Sequence, residues 1–275
     1  MLKNNILPGY KISLIYTLTY LTIILLFPLI AIISKTFSIP FETFWQTVSS
    51  PRVIASYKIS IGLSLLAACI NTIFGTILAW CITRYKFFGY KIVDGLIDLP
   101  FALPTAVAGI ALSAIYAPNG WLGKPLAAIG IQASFNKLGI LLALIFIGLP
   151  FIVRTVQPIM QELDLEQEAA ASSLGANRFQ VFTRITLPAL YPGIMTGFAL
   201  AFARAIGEYG SVIFIAGNIP MVSEITPLLI VSYLEEFDYL GATSIAVVML
   251  IISGILLFII NKLQYFVNKS TGSNL

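Results

Sequence analysis

Long uncharged stretches alternate with short polar segments along most of the chain. Six stretches have the length of a membrane-crossing helix, and they cover residues 12–33, 58–82, 92–117, 138–160, 190–216 and 240–262. About 20 apolar residues in an α-helix cross the roughly 30 Å hydrocarbon core of a bilayer. Helices are required there, because lipid offers no hydrogen-bond partner to free backbone groups. The pattern predicts an all-α integral membrane protein with six transmembrane helices.

The composition supports this class. Hydrophobic residues make up 58% of the 275 positions and charged residues 10%, whereas soluble domains are about 45–50% apolar. The net charge of +4 needs no nucleic-acid partner to explain it. The chain has no histidine and no G-x-x-x-x-G-K-[ST] loop, so we predict no catalytic residues and no cofactor, nucleotide or metal site of its own.

Lys and Arg residues in the loops predict the orientation, since cytoplasmic loops carry an excess of them. With the N-terminus inside, nine fall on the inner side: Lys3, Lys11, Arg84, Lys86, Lys91, Arg178, Arg184, Lys262 and Lys269. Five fall outside: Lys35, Arg52, Lys58, Lys124 and Lys137. Both termini and the polar segment at 161–188 are therefore predicted to face the interior.

The segment 161–188 (QELDLEQEAAASSLGANRFQVFTRITLP) is polar between two apolar flanks. We predict a helix over 161–174, a turn at Gly175 with positive φ, and a second short helix that Pro188 ends. Phe179 and Phe182, three residues apart, are predicted to share one side of this second helix. Two interpretations stay open on these grounds: a surface that docks a partner in water, or an amphipathic connector on the lipid headgroups.

The spacing G-x(9)-I-x-L-P after an acid and an alanine pair resembles the EAA loop of ABC importer permeases. Four further blocks are similar to the T-type sulfate/thiosulfate permeases: DLPFALPTAVAG at 98–109, PFIVRTVQP at 150–158, GEYGSVIFIAGNIP at 207–220 and EEFDYLGA at 235–242. The likeness covers about residues 10–270. One position departs from the pattern, because the usual glutamate position holds Ala169 and Glu168 precedes it.

The resemblance implies a type I ABC importer permease with the MetI-like fold, which imports sulfate and performs no covalent chemistry. Its implied partners are an ABC ATPase dimer that binds ATP and Mg²⁺, a second permease subunit of the W type, and an extracytoplasmic sulfate-binding protein. The resemblance divides the chain into three parts. Residues 1–57 hold the N-terminal segment, the first transmembrane helix and an outer loop; residues 58–265 form the permease domain with the coupling loop at 161–188; and residues 266–275 form a cytosolic tail. The implied ATPase-coupling residues are Glu168, Ala170, Ala171, Gly175, Arg178, Phe179, Ile185, Leu187 and Pro188.

Charged residues inside the predicted spans are candidates for a translocation path, because an ion in the membrane is costly unless it is paired or hydrated. Arg204 is predicted near the middle of the fifth span, with Glu208 one turn further on. They either neutralise each other, or Arg204 offers its N–H donors to a sulfate. Arg154 is predicted to anchor at the headgroups or to pair with Glu162.

The third predicted span contains a further set of path candidates. Asp98 precedes Pro100 and Pro104, which are expected to interrupt the helix and free backbone groups. Broken helices of this sort commonly line a substrate path. An ordinary kinked helix is the competing interpretation.

The outer loop after the fifth span is acidic, with Glu224, Glu235, Glu236 and Asp238. Such a surface is poorly suited to capture a dianion, and we expect a binding protein to dock there. The alternatives are a permease for a related oxyanion such as molybdate, a gradient-driven transporter, or a membrane scaffold. The Ile-, Asn- and Lys-rich composition indicates an AT-rich genome, which fits a plastid-encoded chain as well as a bacterial one. No transit peptide precedes the first span, so we expect synthesis in the compartment that the permease serves, and we expect a plastid membrane or otherwise a bacterial inner membrane.

Overall fold

The computed structural model describes residues 9–270 of the chain, with side chains through Tyr265. All regular structure in this part is helical. In chain order the helices are α1 Tyr10–Phe37, α2 Phe41–Val48, α3 Pro51–Arg84, α4 Tyr90–Ile97, α5 Leu99–Ala102, α6 Thr105–Tyr116, α7 Gly123–Ala128, α8 Lys137–Glu162, α9 Leu165–Ser173, α10 Arg178–Ile206, α11 Val212–Ile215, α12 Thr226–Glu235 and α13 Tyr239–Ser270.

Five of the described helices are long and apolar enough to cross a membrane: α1, α3, α8, α10 and α13. The predicted all-helical membrane fold is confirmed. The third of the six predicted spans is instead divided among α4, α5 and α6. Leu103 is extended, with a ψ of 135°, because the ring of Pro104 disfavours helical backbone in the residue before it.

The fifth predicted span is wrong at its outer end. The helix stops at Ile206 and does not continue to 216. Gly207 follows, and the side chain of Glu208 accepts a hydrogen bond from the N–H of Ser211 at 2.8 Å. This bond satisfies a donor outside the helix and supports a turn, after which the chain forms the short helices α11 and α12.

The centre of the fold is the packing of α3, α8 and α10 against one another. Small residues allow these helices to approach closely, as is common in membrane bundles. A Cβ added to Gly75 of α3 would lie 2.9 Å from the Cβ of Ile152 on α8. Ile152 and Met160 of α8 and Phe202 of α10 belong to one buried apolar cluster. In α1, by contrast, none of the residues in the most apolar 18-residue stretch is buried within this chain.

Both predicted boundaries between parts of the chain fall inside helices of the structure. The boundary at 57/58 falls inside α3, and α13 extends through Ser270 into the predicted tail at 266–275. Residues 271–275 lie outside the described residues, as does Lys3, and the side chain of Lys269 is not described either.

Candidate functional site

The polar segment leaves the spanning helix α8 at Glu162. Asp164 then caps α9, because its side chain accepts a hydrogen bond from the backbone N–H of Glu166 at 2.9 Å. An aspartate there satisfies an otherwise free N–H and suits the positive end of the helix dipole. The predicted helix at 161–174 is therefore wrong at its start, since Leu165 begins a separate helix.

Gly175 forms the turn after α9. Its φ is +91°, which confirms the predicted positive value. The N–H of Gly175 donates to the carbonyl of Ser172 and the N–H of Ala176 to that of Ala171, both at 3.0 Å. These two bonds form a Schellman motif, which places the residue at this position in the left-handed region. A Cβ built on Gly175 meets no other atom within 4 Å, so backbone strain alone opposes a substitution within this chain.

The helix after this turn begins with a capping box. The Asn177 side chain accepts from the N–H of Gln180 at 2.9 Å, and the Gln180 side chain accepts from the N–H of Asn177 at 2.9 Å. The predicted end at Pro188 is wrong, because α10 continues through this residue. A π turn at Phe182–Thr186 precedes Pro188 and widens the helix near the carbonyl that the proline ring would otherwise crowd.

The two phenylalanines at the start of α10 point in different directions, contrary to the prediction. Phe179 is 74% exposed. Phe182 is half-buried, and its ring packs edge-to-face on Trp80 of α3 with the centroids 5.5 Å apart. Phe182 is therefore engaged by α3, whereas Phe179 is left exposed.

Glu168 faces the inside of the loop, where it pairs with Arg84 at the end of α3. The Nη2 of Arg84 donates to Oε1 of Glu168 at 2.6 Å, and the hydroxyl of Thr186 donates to the same oxygen at 3.2 Å. The guanidinium of Arg84 also lies 5.6 Å from the centre of the Trp80 ring. Trp80, Glu168 and Thr186 border a cavity of about 550 Å³ between α9 and the start of α10, which Arg178 and Phe182 also line.

The other predicted coupling residues divide by exposure. Ala170, Gly175, Arg178 and Phe179 are exposed, whereas Ala171, Ile185, Leu187 and Pro188 are half-buried. Two exposed side chains were missed by the sequence analysis: Leu165 is 60% exposed and Leu174 is 90% exposed. With Phe179 they are the exposed large apolar side chains of this polar loop, and we call these three residues together the loop surface. The sequence did contain a signal for these exposed side chains, namely two leucines inside an otherwise polar segment.

Arg204 lies in the last turn of α10, so its predicted place near the middle of a span is wrong. Its Nη1 lies 2.5 Å from Oε2 of Glu208, whose side chain is 2% exposed. The other oxygen of Glu208 accepts from the N–H and the hydroxyl of Ser211 at 2.8 and 2.9 Å. The side chain of Arg204 is 34% exposed, and a guanidinium has further N–H donors.

Arg154 bridges the broken helix to α8, and the predicted pairing with Glu162 is wrong. Its Nε and Nη2 donate to the two carboxylate oxygens of Asp98 at 2.8 and 2.7 Å. Its Nη1 donates to the carboxylate of Asp94 at 2.7 Å. Pro100 lies in the first turn of α5, where a proline is tolerated, and Pro104 directly precedes α6. Asp94 and Asp98 are one helical turn apart, a spacing that the sequence analysis overlooked.

The acidic outer loop is less exposed than predicted. Glu224 is 1% exposed and accepts two hydrogen bonds from Arg52 of α3, at 2.8 and 2.7 Å. Glu235, Glu236 and Asp238 are exposed. The acidic surface is therefore formed by the turn between α12 and α13.

Residues 71–271 match the protein family described as binding-protein-dependent transport system inner membrane component. This match covers more than half of the chain. The chain belongs to this permease family.

Named relatives cover nearly the whole permease. It is 48% identical to the sulfate transport system permease protein CysT of Synechococcus elongatus, over 94% of the permease and 92% of that relative. It is 45% identical to the protein of the same name from Escherichia coli, over 95% of each chain. It is 48% identical to the probable sulfate transport system permease protein cysT of Chlorokybus atmophyticus, over 90% and 87%.

Solved structures share the fold of the permease. A bacterial ABC transporter involved in the import of alginate matches with a TM-score of 0.75 and 18% identity, over 93% of the permease and 94% of that chain. The MetNI methionine ABC transporter in inward-facing conformations matches with a TM-score of 0.58 and 13% identity, over 83% and 99%. The predicted ABC importer permease fold is confirmed.

Proposed function

We propose that this permease is the membrane-spanning subunit of an ATP-driven importer that carries sulfate, and thiosulfate with it. The observation that carries the proposal is the identity of 45–49% to permeases named for sulfate transport, over nearly the whole chain. These identities favour a sulfate permease over a permease for a related oxyanion such as molybdate and over a gradient-driven carrier.

The loop surface is the proposed contact with a separate ABC ATPase dimer. Leu165, Leu174 and Phe179 offer apolar side chains that fill pockets of a partner. The pair of Glu168 and Arg84 holds the loop to α3 from behind. ATP and Mg²⁺ are bound by the ATPase, and this chain contributes no cofactor site.

Arg204 is the proposed contact for the anion. Glu208 neutralises and orients it, and the exposed part of its guanidinium offers the remaining N–H donors to one sulfate oxygen or more. The two interpretations of this pair are therefore compatible: the same ion pair stabilises the helix end and presents the donor.

The outer acidic turn with Glu235, Glu236 and Asp238 is the proposed docking site for a solute-binding protein. These charges repel a free dianion, so affinity and selectivity reside in that protein. A paralogous W-type permease completes the pathway. We propose that both termini lie on the ATPase side, in a plastid membrane or a bacterial inner membrane; curated relatives of both kinds exist.

Uptake of radiolabelled sulfate into vesicles tests the function. Vesicles that hold the permease, its paralogue and the ATPase should accumulate sulfate with binding protein outside and ATP inside. An ionophore should leave uptake unchanged, and excess molybdate should compete poorly. Uptake that an ionophore abolishes would instead indicate a gradient-driven carrier. A permease that retains no ATPase on affinity purification would contradict the coupling role.

A further inference from the structure

We propose that Arg154 is a positioning residue that makes the broken helix move together with the ATPase-facing loop. The inference rests on the proposed function, because it concerns how movement of that loop reaches the pathway. Arg154 lies on α8, which leads directly into the loop at Glu162. Its partners, Asp94 and Asp98, lie on α4 and at the start of α5.

The guanidinium of Arg154 is saturated. Besides its bonds to the two carboxylates, Nη1 donates to the side chain of Gln157 at 2.5 Å and Nη2 to the backbone carbonyl of Asp94 at 2.8 Å. All five N–H donors of the arginine are therefore used. A saturated guanidinium has no donor left for a sulfate, so Arg154 holds structure and does not bind the substrate.

This network fixes the orientation of α4 and α5 relative to α8 as well as their distance from it. The planar fork grips both oxygens of Asp98 while a second edge grips the side chain and backbone of Asp94, so α4 and α5 cannot rotate about a single contact. The ring of Phe101 on α5 also packs edge-to-face on Phe151 of α8, with the centroids 5.1 Å apart. Two separate contacts thus join the broken segment to α8, one ionic and one aromatic.

The ionic and the aromatic contact to α8 both lie on one side of the proline break, in α4 and α5. The chain is extended at Leu103, and α6 beyond it packs mainly on α11, which itself contacts α8 near Gly139, at the end of α8 away from the loop. A displacement of the loop end of α8 therefore carries α4 and α5 with it, while α6 stays with α11 at the other end of α8 and the extended residue accommodates the difference. The break at Leu103 and Pro104 is then the hinge, and Arg154 determines which half moves with the loop.

Spin-label distances test the inference in the assembled importer. Cys69 and Cys81 are first replaced by serine, and labels are attached at two exposed positions, Ile92 of α4 and Gln161 of α8. Between the nucleotide-free and the ATP–vanadate-trapped states, this distance should stay constant. A reference pair at Gln161 and Leu263 of α13 should change, which shows that the complex has moved.

Two variants separate transmission from stability. Arg154→Lys keeps the charge but loses the fork, and Asp94→Asn/Arg154→Met/Asp98→Asn removes all three charges without leaving an unpaired ion. Both should bind the ATPase like the wild type, and uptake per ATP hydrolysed should fall about tenfold, within the usual range of coupling between sites. The distance between the labels at 92 and 161 should then change with nucleotide. Lys91→Gln, which removes an exposed charge from α4, is the matched control.

A triple variant with wild-type stability and wild-type uptake per ATP would overturn the inference, because the network would then serve stability alone. A change of the 92–161 distance in the wild type would overturn it as well, and this measurement decides if the triple variant fails to assemble. Loss of ATPase binding by the wild-type permease itself would count against the proposed function and not against Arg154.

Discussion

Glu168 and Arg84, which lie 84 positions apart in the chain, meet at 2.6 Å behind the loop surface. Their side chains are 22% and 15% exposed. The EAA-type glutamate of this permease is therefore engaged by its own chain, whereas Leu174 and Phe179 are exposed. The resemblance suggested the glutamate as a contact for the ATPase, and within this chain it already has Arg84 and Thr186 as partners.

Arg84→Gln should loosen the loop, because it leaves the carboxylate of Glu168 largely buried without its cation. We expect a loss of about 2 kcal/mol, below the 3–5 kcal/mol typical of a fully buried pair. Glu168→Gln/Arg84→Gln should recover part of this loss. Thermal unfolding and limited proteolysis of the loop in lipid nanodiscs measure the effect. Arg178→Gln, an exposed change nearby, is the control, and equal effects of both arginine variants would contradict the prediction.

Gly175→Asp should leave membrane insertion unchanged, weaken ATPase docking and abolish substrate-stimulated ATP hydrolysis. The variant forces a side chain into positive φ, at about 1 kcal/mol of strain, and adds a charge to the loop surface. Gly175→Ala tests the backbone contribution alone and should be milder. Binding of the purified ATPase to membranes and sulfate uptake are the measurements. Normal ATPase binding and normal sulfate uptake by Gly175→Asp would show that the loop is only a connector.

Glu208→Gln should destabilise the permease more than Arg204→Gln does. Glu208 is nearly fully buried and also holds Ser211, whereas Arg204 is about one third exposed and keeps access to water. If Arg204 contacts the anion, Arg204→Gln should lower uptake while ATP hydrolysis and assembly persist. Arg204→Gln/Glu208→Gln should recover stability but not uptake. Recovery of both in the double variant would confine the pair to a structural role.

Glu235→Lys/Glu236→Lys should weaken stimulation of ATP hydrolysis by the binding protein. Both side chains are exposed at the outer turn, so stability should change by no more than about 0.5 kcal/mol. ATPase activity is titrated with binding protein at low and high salt, since screening weakens such contacts. Glu42→Lys, an exposed change on α2, serves as the control. Unchanged titration curves would place the docking site elsewhere.

Hydropathy predicted most of the long apolar helices but not where they end. Gly175, Asn177 and the break before Pro104 followed from local backbone chemistry, which a sequence displays directly. Arg84 with Glu168 and Arg154 with Asp94 could not be paired in this way, because each pair joins helices that are distant in sequence. Pro188 led to a wrong prediction, the end of a helix. It lies inside a helix because a π turn accommodates it.

The close approach of α3 and α8 has a consequence for variation among related sequences. Gly75 has no side chain because Ile152 occupies the space where one would lie. A methyl group gained at 75 is tolerated only if the partner side chain becomes smaller at the same time, as close packing leaves no room for both. Positions 75 and 152 should therefore covary across relatives, with the sum of their side-chain volumes nearly constant.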